Sequence, residues 1–183
     1  ELGPPARRSA VRGAMVHGSV AAAIAIVCLA GCGILSGPDG REPCPIETPR
    51  LAPPDIATVP DTLSTCGGTF VLRGYLWRDF MPVSPPDGDP LRAVVTLAEC
   101  DSLVVPDHLR LAHLWVTKPQ AYWSTDFNPE EVPGRPPHEL SAIARCGPSW
   151  GPGIAVDVIV SVRCGDGAPS YVRALGVPIK RTD

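Results

Sequence analysis

Residues 66–183 predict an all-β domain: an antiparallel two-sheet sandwich of about seven short strands. Three observations carry this. Residues 154–164 alternate with period two: Ile154, Val156, Val158, Val160, Val162 and Cys164 share one face, while Ala155, Asp157, Ile159, Ser161 and Arg163 share the other. Similar apolar alternations recur along the domain, separated by Pro, Gly and Asp turn signals. No stretch of this region carries a convincing 3.6-residue period.

Taken in order, residues 69–80 (TFVLRGYLWRDF) read as the first strand, with Gly74 at a bulge. The turn-rich stretch 82–90 leads to strands at 91–100 and 109–118. A short edge strand is expected at 120–127, a loop at 128–137 and a strand at 139–146. The connection 147–153 is rich in Gly and Pro, and the alternating strand ends at Cys164. The last strand, 170–180, contains Gly176 and Pro178, and proline within it suits a sheet edge. The pattern resembles immunoglobulin or fibronectin type III domains in architecture, without the Cys…Trp…Cys spacing of true immunoglobulin domains. A small closed barrel is the competing architecture.

Upstream, the chain changes character. Residues 34–65 carry prolines 38, 43, 45, 49, 53, 54 and 60 and show neither helical nor strand periodicity. They read as a tether, able to reach up to ~100 Å if fully extended at ~3.1 Å per residue. Before them, Arg7, Arg8 and Arg12 precede an apolar run from Val20 to Leu29, followed by the small residues Ala30 and Gly31 and then Cys32. This is the layout of a secretory signal, and the run is too short to span a bilayer. Leu29-Ala30-Gly31-Cys32 resembles the lipobox of bacterial lipoproteins. That resemblance implies cleavage before Cys32, a diacylglycerol on its thiol, and a chain held in the cell envelope by its lipid. Gly33 after the cysteine implies the outer membrane by the sorting rule of enteric bacteria. The expected organisation is therefore a signal peptide at 1–31, a lipidated tether at 32–65 and a β-sandwich at 66–183.

Without residues 1–31 the chain loses three arginines and one glutamate, falling from 16 basic and 19 acidic residues to 13 and 18, a net of −5. A mildly acidic chain is a poor nucleic-acid binder, because phosphate contacts need clustered cations. Export into an oxidising compartment favours disulfides. Of the seven cysteines, Cys44, Cys66, Cys100, Cys146 and Cys164 follow the lipidated one, so at least one lacks a partner within the chain. Up-and-down strands place Cys66, Cys100 and Cys164 at one end of the sandwich. Cys146 lies at the far end of a strand ~35 Å long at 3.3 Å per residue, beyond the ~7 Å Cα reach of a disulfide. Cys100–Cys164 or Cys66–Cys164 is expected, with Cys44 reaching many sites from its tether.

No cofactor, no metal and no catalysis is expected. There is no C-x-x-C or paired-histidine spacing for a metal. His108, His113 and His138 accompany many serines, and His108 follows Asp107, but no G-x-S-x-G elbow is present. Asp87, Asp89, Asp126, Glu130 and Glu131 lack the spacing of a calcium loop and read as solubilising loop charges. Tyr122 and Trp123, near Phe127, together with Trp150 are the candidate platform for a sugar ring or a partner protein. Against this, aromatics dominate small cores, which assigns Trp77 and Trp115 to the interior and Trp150 to one end of the sandwich. The expected function is a non-catalytic, lipid-anchored binding or structural domain for an envelope protein or glycan. An envelope hydrolase is the alternative, as is an inhibitor or assembly chaperone acting through loop 128–137 or an edge strand.

Overall fold

The computed structural model describes residues 44, 51–128 and 132–183. The described part is all-β. Eight strands follow one another: β1 (Thr62–Thr65), β2 (Gly68–Asp79), β3 (Leu91–Glu99), β4 (Leu109–Lys118), β5 (Ala121–Asp126), β6 (Glu139–Gly147), β7 (Ala155–Cys164) and β8 (Ser170–Thr182). The seven expected strands are present, each bound within two residues of its expected place, and β1 is additional. Cys32 and the signal-like segment lie outside the described residues. Among the described residues no helix is long and apolar enough to cross a membrane.

The strands form one mixed sheet, in the order β5-β4-β7-β8-β2-β3-β6 with β1 paired to β2. It curls into a half-barrel, where the sequence predicted two separate antiparallel sheets. The reason lies in β8. Residues 170–178 pair antiparallel with β7, and Ile179–Thr182 then pair parallel with Leu76–Asp79 of β2. Near the end of the antiparallel stretch β8 carries an extra residue opposite the Val156–Val158 step, a bulge that holds Gly176 at φ +64°. Asp157 Oδ1 accepts the Gly176 N–H at 2.9 Å. A bulge bends its strand and raises the local twist, so β8 turns there from one partner to the other. Pro178 therefore marks this corner and not a sheet edge, and β8 is a central strand. Gly74 pairs with Val95 in unbroken register, so it marks no bulge. A Cβ there would lie 3.3 Å from Val177, and its absence lets β8 pack closely over β2.

The alternation puts Phe70, Leu72 and Leu76 of β2 inside with Leu91, Ala93, Val95 and Leu97 of β3. Val156, Val158, Val160 and Val162 of β7 face them, as their period requires. Each large side chain so buried contributes roughly 1.5–3 kcal/mol. The two ends of the curled sheet approach one another: Asn128, just past β5, donates its N–H to the Ile143 carbonyl of β6 at 2.8 Å.

The domain also begins earlier than expected. Residues 51–60 cross the outer face of β4, β7 and β8 as a strap. Val59 and Ile56 pack on Trp115 and Ile159, beside Tyr122 and Tyr171. Trp115 Nε1 donates to the Leu51 carbonyl at 2.9 Å, and the Arg173 N–H donates to the Pro60 carbonyl at 2.9 Å. The Arg173 guanidinium also donates to the Ile56 carbonyl. Asp55 Oδ1 accepts the Ala57 N–H at 3.0 Å, closing a local turn. The expected tether at 34–65 thus contains a folded strap and strand β1, and since a disulfide ties Cys44 to Cys146 of β6, only its part before Cys44 is left as a candidate tether.

Candidate functional site

The outer face of β2, β3 and β8 carries the best-formed candidate surface. With Phe70, Leu72 and Leu76 inward, β2 must turn Arg73, Tyr75 and Trp77 outward. The Tyr75 and Trp77 rings lie 5.3 Å apart at 41°. Lys180 of β8 pairs with Trp77 and sets its Nζ 4.8 Å from the Tyr75 centroid. On the other flank, β3 places Val94 beside Tyr75, Arg92 beside Trp77 and Thr96 beside Arg73. Tyr75 is 43% exposed.

The charge of this face opposes that of the chain. Arg73 and Lys180 are exposed on it, and Arg92, half-buried, flanks Trp77 on the side opposite Lys180. Glu139 reaches Arg73 only at 3.6 Å, with the arginine side chain 68% exposed. Arg92 is held by Asp89 at 2.9 Å. Asp89 itself is buried, so its charge is spent on positioning Arg92 and not, as expected, on solubilising a loop. Three cations around an aromatic pair can stack a ring and attract an anionic substituent on it.

The expected aromatic platform does not form. Tyr122 and Trp123 are neighbours on β5 and point to opposite faces. Trp123 is buried in the main core, while Tyr122 packs on the outer cluster under the strap. Trp150 packs against the main core at one end, with Lys118 Nζ 4.8 Å above its ring. Trp115 is buried, though in the outer cluster, and Trp77 expected in the core faces outward.

One histidine does enter a relay. His113 of β4 pairs with Asp126 of β5, and Ser124 lies two residues earlier on the same face. His113 Nδ1 is 2.6 Å from Asp126 Oδ1, and Nε2 is 2.8 Å from Ser124 Oγ. Because a carboxylate only accepts, Nδ1–H donates to Asp126 and Nε2 accepts the serine hydroxyl in neutral His113. The order of groups is that of a serine hydrolase relay. Burial runs the other way: Ser124 is 5% exposed, whereas the Asp126 side chain is 74% exposed. A nucleophile must reach its substrate, and the orienting acid is the group that needs shelter. We read this relay as a latch that fixes edge strand β5 to β4 beside Trp115, whose ring meets His113 at 4.4 Å. His113→Ala then leaves the Ser124 hydroxyl buried without its partner and costs about 1–2 kcal/mol in urea unfolding, while Ser124→Ala costs under about 1 kcal/mol.

The cysteines pair as Cys66–Cys164 and Cys44–Cys146. The alternative Cys100–Cys164 is not formed. Cys100 follows the last residue of β3 and is exposed, while the β1–β2 turn carries Cys66 to the end of β7. His108 adjoins that disulfide: the ligand atoms of Cys66, His108 and Cys164 all lie within 4.8 Å of one another. Nothing in their spacing announced this, because 98 residues separate the two cysteines. The Tyr75–Trp77 face was legible in the alternation of β2, but ring size assigned Trp77 to the core. Of the carboxylates considered, Glu130 and Glu131 lie outside the described residues. No protein-family model, no curated protein and no solved structure matches this chain.

Proposed function

We propose that this chain is a lipid-anchored envelope protein whose half-barrel binds an acidic glycan across the outer face of β2, β3 and β8. The observation that carries the reading is the outward-facing pair of exposed Tyr75 and half-buried Trp77, with Lys180 over the tyrosine ring. Sugar rings present C–H faces that stack on aromatics, and Arg73, Arg92 and Lys180 supply the complement to uronate or phosphate groups. A lipid on Cys32 holds the chain at the membrane, and because Cys44 is bonded to Cys146 of the domain, residues 33–43 give it a reach of at most ~34 Å at ~3.1 Å per residue. Stable anchoring needs more than one acyl chain, which a diacylglycerol supplies. No catalytic step is part of this reading.

The test is electrophoresis of the full chain through gels containing polygalacturonate or neutral dextran. Retardation is expected in the acidic gel and not in the neutral one. Tyr75→Ala/Trp77→Ala weakens it about tenfold, or about 1.4 kcal/mol, and added salt weakens the wild type because the cations are exposed. Equal mobility in both gels, or an unchanged double variant, overturns the glycan assignment. Separately, Cys32→Ala moves the protein from the membrane pellet to the soluble fraction, and retention in the pellet overturns the anchor.

A further inference from the structure

The corner formed by the β1–β2 turn, the start of β4 and the end of β7 has a second chemistry. It brings two sulfurs and an imidazole within 4.8 Å of one another, from Cys66, Cys164 and His108. With Cys66 and Cys164 joined, neither sulfur is a thiolate and neither binds a metal well. We propose that a dithiol reductant converts this corner into a zinc(II) site, with Cys66 Sγ, Cys164 Sγ and a ring nitrogen of His108 as ligands and water in the fourth position. The corner is then held by the disulfide or by the metal, never by both.

Backbone geometry favours the exchange. Tetrahedral zinc, with Zn–S near 2.3 Å and Zn–N near 2.0 Å, sets its ligand atoms roughly 3.5–3.8 Å apart. The three groups need only small side-chain rotations to meet this. Their positions do not depend on the disulfide alone. Leu109 pairs with Cys164 in the β4–β7 ladder, and the Gly165 N–H donates to the His108 carbonyl at 2.9 Å. Cys66 is fixed by the β1–β2 hairpin, in which Thr65 pairs with Gly68. Both cysteines are half-buried and His108 is exposed, so reductant and metal can approach from the histidine side. Two thiolates and one neutral imidazole around Zn²⁺ make an uncharged unit, which a half-buried corner tolerates. Thiolate ligands also select zinc over magnesium or calcium.

The dithiol gives up two electrons and two protons and closes to its own disulfide. The Cys66–Cys164 S–S bond breaks and two thiols form. Zn²⁺ then displaces both thiol protons to solvent and takes the lone pair of neutral His108. In an oxidising compartment the disulfide form persists. The zinc form belongs to the chain before oxidation or under dithiol attack.

The test uses the full chain with Cys28, Cys32, Cys44, Cys100 and Cys146 replaced by serine, so that only this pair remains. Cobalt(II) is titrated as the probe into the oxidised protein and into the dithiol-reduced protein after anaerobic removal of reductant. One equivalent is expected in the reduced form, with thiolate-to-cobalt charge-transfer absorption that zinc bleaches, and none in the oxidised form. Losing a residue that only hydrogen-bonds a metal ligand costs about 10–100-fold in affinity, so His108→Ala, which removes a direct ligand, should weaken binding at least about tenfold. The same question is asked of the reduced wild-type chain by alkylation mapped to individual cysteines. Zinc should slow alkylation of Cys66 and Cys164 at least about tenfold and leave Cys100 unchanged. Equal alkylation of Cys66 and Cys164 with and without zinc overturns the proposal, as does a His108→Ala chain that binds as tightly as wild type.

Discussion

Replacing Arg78 by methionine should cost about 3–5 kcal/mol of stability, read as a fall in the guanidinium chloride midpoint at unchanged slope. Arg78 follows Leu76 on the inward face of β2, and it is 4% exposed. Its charge is met by carbonyl oxygens from two separate loops. Nε donates to the Asp89 carbonyl at 2.9 Å, and Nη2 to the carbonyls of Asp87 and Gly88. Nη1 donates to the Gly151 carbonyl at 3.1 Å and the Ser149 carbonyl at 3.4 Å. The guanidinium also lies 5.1 Å from the Phe80 ring, which carries Arg181 at 4.2 Å. One side chain thus ties the β2–β3 connection to the β6–β7 connection and closes one mouth of the half-barrel. Methionine fills much of the volume but strands several carbonyls, and each buried unsatisfied group costs about 1–3 kcal/mol. Arg78→Lys restores the charge with fewer donors and no planar fork, so it should recover only part of the loss. A loss below about 1 kcal/mol for the methionine variant would mean that the loops are held by other contacts.

That arginine also shows where a linear reading stops. Alternation was enough to find β7, because Val156 to Val162 repeat every second residue and both faces are read from one run. Arg78 sits inward on the same alternation as Leu76, but its charge argues for solvent, and only the closing of two distant loops supplies its carbonyls. The strap carries no linear signal for a related reason. Leu51, Ile56 and Val59 share no period, and the segment is anchored by side-chain bonds from Trp115 and Arg173, both more than 50 residues away. Strand β1 has one buried apolar residue, Leu63, and its turn is Cys66-Gly67 where Asn-Gly is the stronger hairpin signal. In β8, Gly176 and Pro178 interrupt the strand pattern in one dimension and form a corner in three. The candidate face was half legible. The β2 alternation sets Tyr75 and Trp77 on one side, but the approach of Lys180 depends on the parallel pairing of β8, which the sequence does not encode locally.

Removing the Cys66–Cys164 bridge should have an effect of similar size to the loss of Arg78. The two residues are 98 apart in sequence. A closed loop of about 100 residues restricts the unfolded chain by an amount worth about 4.7 kcal/mol in the chain-entropy account. Cys44–Cys146 already constrains an overlapping stretch, so the loss for Cys66→Ser/Cys164→Ser is expected nearer 3–4 kcal/mol, measured by chemical denaturation. The local backbone gives a way to separate this from damage to the hairpin. Cys66 sits at φ +50° and Gly67 at φ +77°, as a type I′ turn requires. Serine keeps the left-handed penalty of a side-chain-bearing residue, whereas glycine does not. Cys66→Gly/Cys164→Ser should therefore be more stable than the double serine variant by about 1 kcal/mol. If both variants fell equally far, turn strain would be negligible and the crosslink alone would set the loss. If neither fell by more than about 1 kcal/mol, the β4–β7 ladder and the strap would already hold the corner that the disulfide closes.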